Sequence, residues 1–147
     1  MAKDLKQIGL TQDMARQAAE LVDSDIPWFE DIQDLYRFAV AIAIGQDLKP
    51  DRKLLELPAK DFFAKSWRAR EDRNDDFRGG ERGIDGHGSV VKDMVSTFCP
   101  DEASKHGPYT YSQYLAAKGI HYLHDRLINH RDNIDDVLPR AKPQEVE

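Results

Sequence analysis

The sequence predicts an all-α protein, and three observations carry that expectation. Apolar residues recur at helical spacing over most of the chain, and capping and breaking residues fall where such helices would start and stop. No two alternating apolar segments are joined by a hairpin turn, and there is no internal repeat. At 147 residues the chain suits one domain, since domains run to roughly 100–200 residues. The expectation is a compact single domain of four to six helices over residues 1–138. A long Gly/Arg-rich loop, mobile, interrupts it at about residues 68–88, and a flexible tail covers residues 139–147.

Each element has a local cause. Thr11 is placed to cap a first helix carrying Met14, Ala15, Ala18, Ala19, Leu21 and Val22, with Asp13 favourable to the dipole. Pro27 disfavours helical geometry at Ile26 and ends it. A second helix runs from about Phe29 to Ile44, with Glu30, Asp31 and Asp34 in its first turns and Gly45 at its end. Its half from Phe38 to Ile44 is apolar on every side. Phe38, Val40, Ile42 and Ile44 therefore belong to the core or to a homo-oligomer interface, and the alanines between them allow close packing. A short helix over Ala59–Arg70 would carry Phe62, Phe63 and Trp67. Ser89 is placed to cap a third long helix with Val90, Val91, Met94, Val95 and Phe98 on its apolar side. A fourth runs from about Tyr109 to His130 on the stripe Ala116, Ile120, Leu123 and Leu127, followed by a short turn over Asp132–Leu138.

Composition bounds the function. The hydrophobic fraction is 40% and the charged fraction 33%, with mean hydropathy −0.67, which is polar yet globular. A net charge of −6 and a pI near 5.4 argue against general electrostatic attraction to nucleic acid or anionic membrane. Cys99 is the sole cysteine, so an internal disulfide and a thiolate-rich metal site are excluded. Without an apolar leader or a run long enough to span a bilayer, the expected location is the cytoplasm, with no membrane contact.

Three motifs bear on chemistry. Residues 68–82 hold five bases and five acids, and every base is arginine: Arg68, Arg70, Arg73, Arg78 and Arg82. Guanidinium groups suit bidentate contact with phosphate or carboxylate, so these five are the candidates for binding DNA or a partner protein. The run Gly79–Gly88 lacks Gly-Lys-Ser/Thr and a leading strand, so it is read as a connector rather than a nucleotide loop. His121, His124 and Asp125 fall near one helical face, where they would need Asp85 or His87 to complete a metal site. A solvated polar face is the reading preferred for them, and a metal-dependent enzyme is the alternative. No nucleophile motif surrounds Ser89, Ser96, Ser112 or Cys99, and no carboxylate pair is singled out for acid–base work. Neither a catalytic residue nor a cofactor is expected.

Two stretches resemble a known family. Leu35-Tyr36-Arg37-Phe38-Ala39-Val40-Ala41-Ile42-Ala43-Ile44 followed by Lys49-Pro50-Asp51 is one; the other is Tyr114–Leu123 with Asn133-Ile134-Asp135-Asp136-Val137-Leu138. In order and spacing they are similar to the central and C-terminal helices of the DndE family, small helical proteins of bacterial DNA phosphorothioation systems. The resemblance covers about a quarter of the chain. It implies a self-associating helical fold and a non-catalytic accessory role in a DNA-modification or defence assembly. Larger sulfur-transfer and ATPase proteins would be its partners, with affinity for double-stranded and particularly nicked DNA. That family uses a basic surface and this chain is acidic, so no individual DNA-binding residue is carried over. An acidic protein–protein module that does not bind DNA is the other expectation.

Overall fold

The computed structural model describes residues 7–8, 10–24, 26, 28–29, 32–57, 77–78 and 90–138. The described part is all-α. Its helices are α1 (Gln12–Val22), α2 (Ile32–Gly45), α3 (Arg52–Leu55), α4 (Val90–Phe98), α5 (Pro100–His106), α6 (Pro108–Leu123) and α7 (Ile134–Val137). Seven among the described residues is one more than the upper expectation. Pro100, just beyond the end of α4, opens α5 from its first turn, where its missing N–H costs nothing. Asp51 likewise caps the one-turn α3 by accepting from the Leu54 amide at 2.9 Å. One strand pairing accompanies the helices: Gln7–Ile8 runs antiparallel to Phe77–Arg78, with Gln7 opposite Arg78 and Ile8 opposite Phe77. Two residues per strand are too few to show as an alternating pattern.

The first helix forms as its sequence predicts. Thr11 accepts a hydrogen bond from the Met14 amide at 3.2 Å, and Ala15, Ala18 and Leu21 are buried on one face. The second begins at Ile32, and Phe29 ahead of it folds back so that its ring meets Phe38 at 5.3 Å between centroids. Leu35, Tyr36, Ala39, Val40, Ile42 and Ala43 are buried, whereas Phe38 and Ile44 are half-buried and Ala41 is exposed. Within one chain Phe38–Ile44 is therefore not buried on every side: Val40 and Ile42 lie in the core, Phe38 and Ile44 pack against it, and Ala41 is left open. A methyl group is small enough to face solvent at little cost, so an apolar run that includes alanine need not be enclosed.

An unbroken buried run belongs instead to the first half of α6. Every residue from Tyr111 to Ala117 is buried, including Ser112 and Gln113. The helix packs chiefly against α2, and Gly119 lies directly against the Ala39 backbone. A Cβ placed on Gly119 would lie 2.1 Å from the Ala39 carbonyl oxygen, so only glycine allows the crossing. Buried hydroxyls are matched in series. Ser112 donates to the Tyr109 carbonyl at 2.6 Å, which leaves its oxygen to accept from the Tyr36 hydroxyl at 2.7 Å.

Beyond Leu123 the chain continues without a break as a π-helical stretch, His124–Asn129. Leu127 stays buried, so the stripe Ala116, Ile120, Leu123, Leu127 faces the core throughout. Past this stretch, Asn133 and Asp136 form a capping box that starts α7, and Gln46 at the end of α2 donates to the Val137 carbonyl at 3.0 Å. That hydrogen bond ties the C-terminal turn back to the central helix pair. The expected helix over Ala59–Arg70, the cap Ser89, most of the Gly/Arg-rich loop and the tail from Pro139 lie outside the described residues.

Candidate functional site

Of the five candidate arginines, Arg68, Arg70, Arg73 and Arg82 lie outside the described residues. Arg78 is placed by its backbone in the short strand pairing. Their joint role therefore stays an expectation of the sequence.

The expected trio on the fourth helix is not brought together. His124 is half-buried, and its Nε2 is held by the Glu20 carboxylate of α1. Exposed His121 places its Nδ1 3.5 Å from Gln17 Nε2, also on α1. Asp125 turns instead toward its own helix end, with Asn129 donating to it at 3.4 Å and His130 Nε2 at 3.5 Å. Among the described residues no three His, Cys, Asp or Glu side chains are grouped to hold a metal ion. The two histidines serve as polar rivets between α1 and the long helix. Asp125 is engaged by Asn129 and His130 at its own helix end, whereas the two histidines reach across to α1.

Cys99 sits between α4 and α5, half-buried. Burial pushes its thiol above the ordinary range, and the nearby Glu102 and Asp47 charges push it further, which disfavours the thiolate. Around it, His106 stacks on Tyr111 at 5.8 Å and meets the edge of Tyr114 at 6.2 Å, and its Nε2 is 3.5 Å from Glu102. Burial, aided by the Glu102 charge, pushes the Tyr111 hydroxyl up to about 12. Burial thus disfavours ionisation of Cys99, Tyr111 and Tyr114 at this corner.

Two surface features remain. On α4, Val91 and Val95 are buried, but Val90 is 49% and Phe98 66% exposed. The expected apolar side of that helix is therefore only half covered. Exposed Asp93 and Asp101 flank Phe98 in sequence.

The second feature is a groove of about 600 Å³ between the α1–α2 connection, the π-helical stretch and α7. Its floor is apolar, formed by Trp28, Leu127, Ile128 and Ile134, and Arg131 stands at its rim. Arg131 follows directly on the helix end with φ 56°, the left-handed conformation that glycine or asparagine usually supplies there. It has no hydrogen-bond or ion-pair partner among the described residues, while neighbouring Asp132 is taken by Arg126, whose guanidinium also lies over the Tyr122 ring at 5.8 Å. Pattern reading misses the groove because its walls come from segments about a hundred residues apart. The one local signal is an arginine standing where a helix-ending glycine is expected.

Neither a family model nor a curated protein nor a solved structure matches the chain.

Proposed function

We propose that the protein is a non-catalytic, all-helical accessory subunit that works by docking a larger protein partner. The observation that supports this reading is the half-covered face of α4, where Phe98 is 66% and Val90 49% exposed and Met94 is half-buried, while Val91 and Val95 are buried. Large apolar side chains in solvent are costly when clustered, and a protein partner is the usual remedy. Flanking Asp93 and Asp101 suit a partner whose apolar patch is rimmed by basic residues, in keeping with the net charge of −6. The resemblance of two stretches to the DndE family suggests the setting, a bacterial DNA-modification or defence assembly. Within it, Arg68, Arg70, Arg73, Arg78 and Arg82 are the groups offered to DNA. A module that docks protein and leaves DNA alone is the second reading, and the same net charge favours it.

Two measurements test these readings. Affinity purification from the native host, with captured proteins identified by mass spectrometry, should recover a defined partner in stoichiometric amount. Phe98→Ser should lose that partner while keeping its helical circular dichroism. Equal recovery by Phe98→Ser would sink the docking face. Fluorescence anisotropy with intact, nicked and single-stranded DNA at two salt concentrations then separates the readings. Binding that weakens steeply with salt, and weakens again when Arg68, Arg70 and Arg73 are replaced by Ala, supports DNA contact. No binding at low salt leaves the protein-only module.

A further inference from the structure

The groove beside the π-helical stretch is independent of the docking face, and three of its features converge. It is concave and apolar, and its volume of about 600 Å³ falls within the range of small-molecule sites. Its rim carries a guanidinium with no partner among the described residues. That guanidinium stands on a backbone conformation unfavourable to any side chain, at a position where glycine would be cheaper. A contact made by the arginine side chain would offset that backbone cost.

We propose that the groove binds a small organic monocarboxylate with an apolar or aromatic body. The body lies on Trp28, Leu127 and Ile134, and the carboxylate pairs with Arg131. Charge decides between anions. Asp132 is already matched by Arg126, and Asp135 stands at the rim as a further negative group. Among the described residues the rim is therefore net neutral, so a single negative charge held directly by the Arg131 guanidinium is tolerated, whereas a phosphate dianion would meet greater repulsion from Asp135. The planar fork of arginine also fits a carboxylate bidentately.

The test is titration of the whole chain with phenylbutyrate, with phenylbutanol as its neutral counterpart and phenyl phosphate as the dianion. Binding is followed by the indole NH resonance of Trp28, assigned by its loss in Trp28→Phe. The expected result is saturable binding of phenylbutyrate with Kd below about 1 mM, and affinity at least about tenfold weaker for the alcohol and the phosphate. Arg131→Gly should weaken phenylbutyrate binding by about tenfold without lowering Tm, because glycine accepts the left-handed backbone freely. Equal binding of alcohol and carboxylate by the unaltered protein overturns the proposal, whatever the variant does. So does an unmoved Trp28 resonance, or full affinity in Arg131→Gly. If phenyl phosphate binds tighter than phenylbutyrate, the site is a phosphate site and the carboxylate assignment is wrong.

Discussion

The apolar half of α2 and the first half of α6 have exchanged the roles their compositions suggest. Phe38–Ile44 contains no polar residue, yet Ala41 faces solvent and Phe38 and Ile44 are only half-buried. Tyr111–Ala117 contains Ser112 and Gln113, two tyrosines and two alanines, and every one of its residues is buried. Hydrophobicity measures what burial would gain, whereas burial itself is set by how many neighbours an element has. α6 is packed by α2, α4, α5 and α1, with α2 its most extensive neighbour. A central helix can be polar in places provided each buried polar group is matched, as the Tyr36–Ser112–Tyr109 series shows.

The strongest test of this contrast sets two adjacent positions of α2 against each other, beginning with Ile42. It is 2% exposed, so Ile42→Asp would bring an unpaired carboxylate into the core. Burying a charge without a partner costs on the order of 4 kcal/mol or more, a large part of the roughly 5–15 kcal/mol that holds a domain folded. Urea unfolding followed by circular dichroism should show a loss of at least about 3 kcal/mol or no folded baseline; unchanged stability would mean that α2 is not seated as described.

Next in size is the crossing itself. In Gly119→Ala the new methyl would collide with the Ala39 backbone, which cannot move as a side-chain end can. We expect a loss of about 3 kcal/mol, at the upper end for overpacking, read from urea unfolding. Alanine is the better helix former by about 1 kcal/mol, so an exposed Gly119 would give the opposite sign. The direction of change alone therefore decides whether the two helices touch.

What the sequence discloses and what it hides divide along the same line. Thr11, the stripe Ala116/Ile120/Leu123/Leu127 and the Phe29–Ile44 segment are legible because caps and periodicity are properties of neighbouring residues. The enclosure of α6 depends on how several helices pack around it, and the rivets from His124 to Glu20 and His121 to Gln17 and the walls of the groove join residues about a hundred positions apart; no local pattern encodes them. The trio His121, His124 and Asp125 fails for an intermediate reason. Its spacing is right for one helical face, but the partners that take each side chain, Gln17 and Glu20 on α1 against Asn129 and His130 beyond it, are not part of that spacing.

A smaller effect examines the polar groups that α6 encloses. Tyr36→Phe removes the hydrogen bond to Ser112 while keeping the ring, and should cost about 1–1.5 kcal/mol. The tyrosines also give the helix an alkaline limit. Burial pushes Tyr111 up to about 12, whereas an unfolded tyrosine titrates near about 10. Folding thus favours the neutral phenol: its contribution is complete below the unfolded value and is lost as pH rises through the folded one. Urea midpoints should fall above pH of about 10, and Tyr111→Phe should flatten that fall.

The smallest expected effect concerns Ala41, the exposed neighbour of Ile42. In a single chain Ala41→Lys replaces a solvent-facing methyl by a good helix former, so stability should change by no more than about 0.5 kcal/mol. Mass in solution, measured by light scattering beside the unfolding curve, gives the substitution its value. If the protein self-associates through the apolar side of α2, a lysine at Ala41 must be desolvated in the interface and the assembly should dissociate while each chain remains folded. If stability and mass are both unchanged, the apolar run of α2 is fully used by its own fold, and any homo-oligomer must be built on another face, with the exposed side of α4 the first to examine.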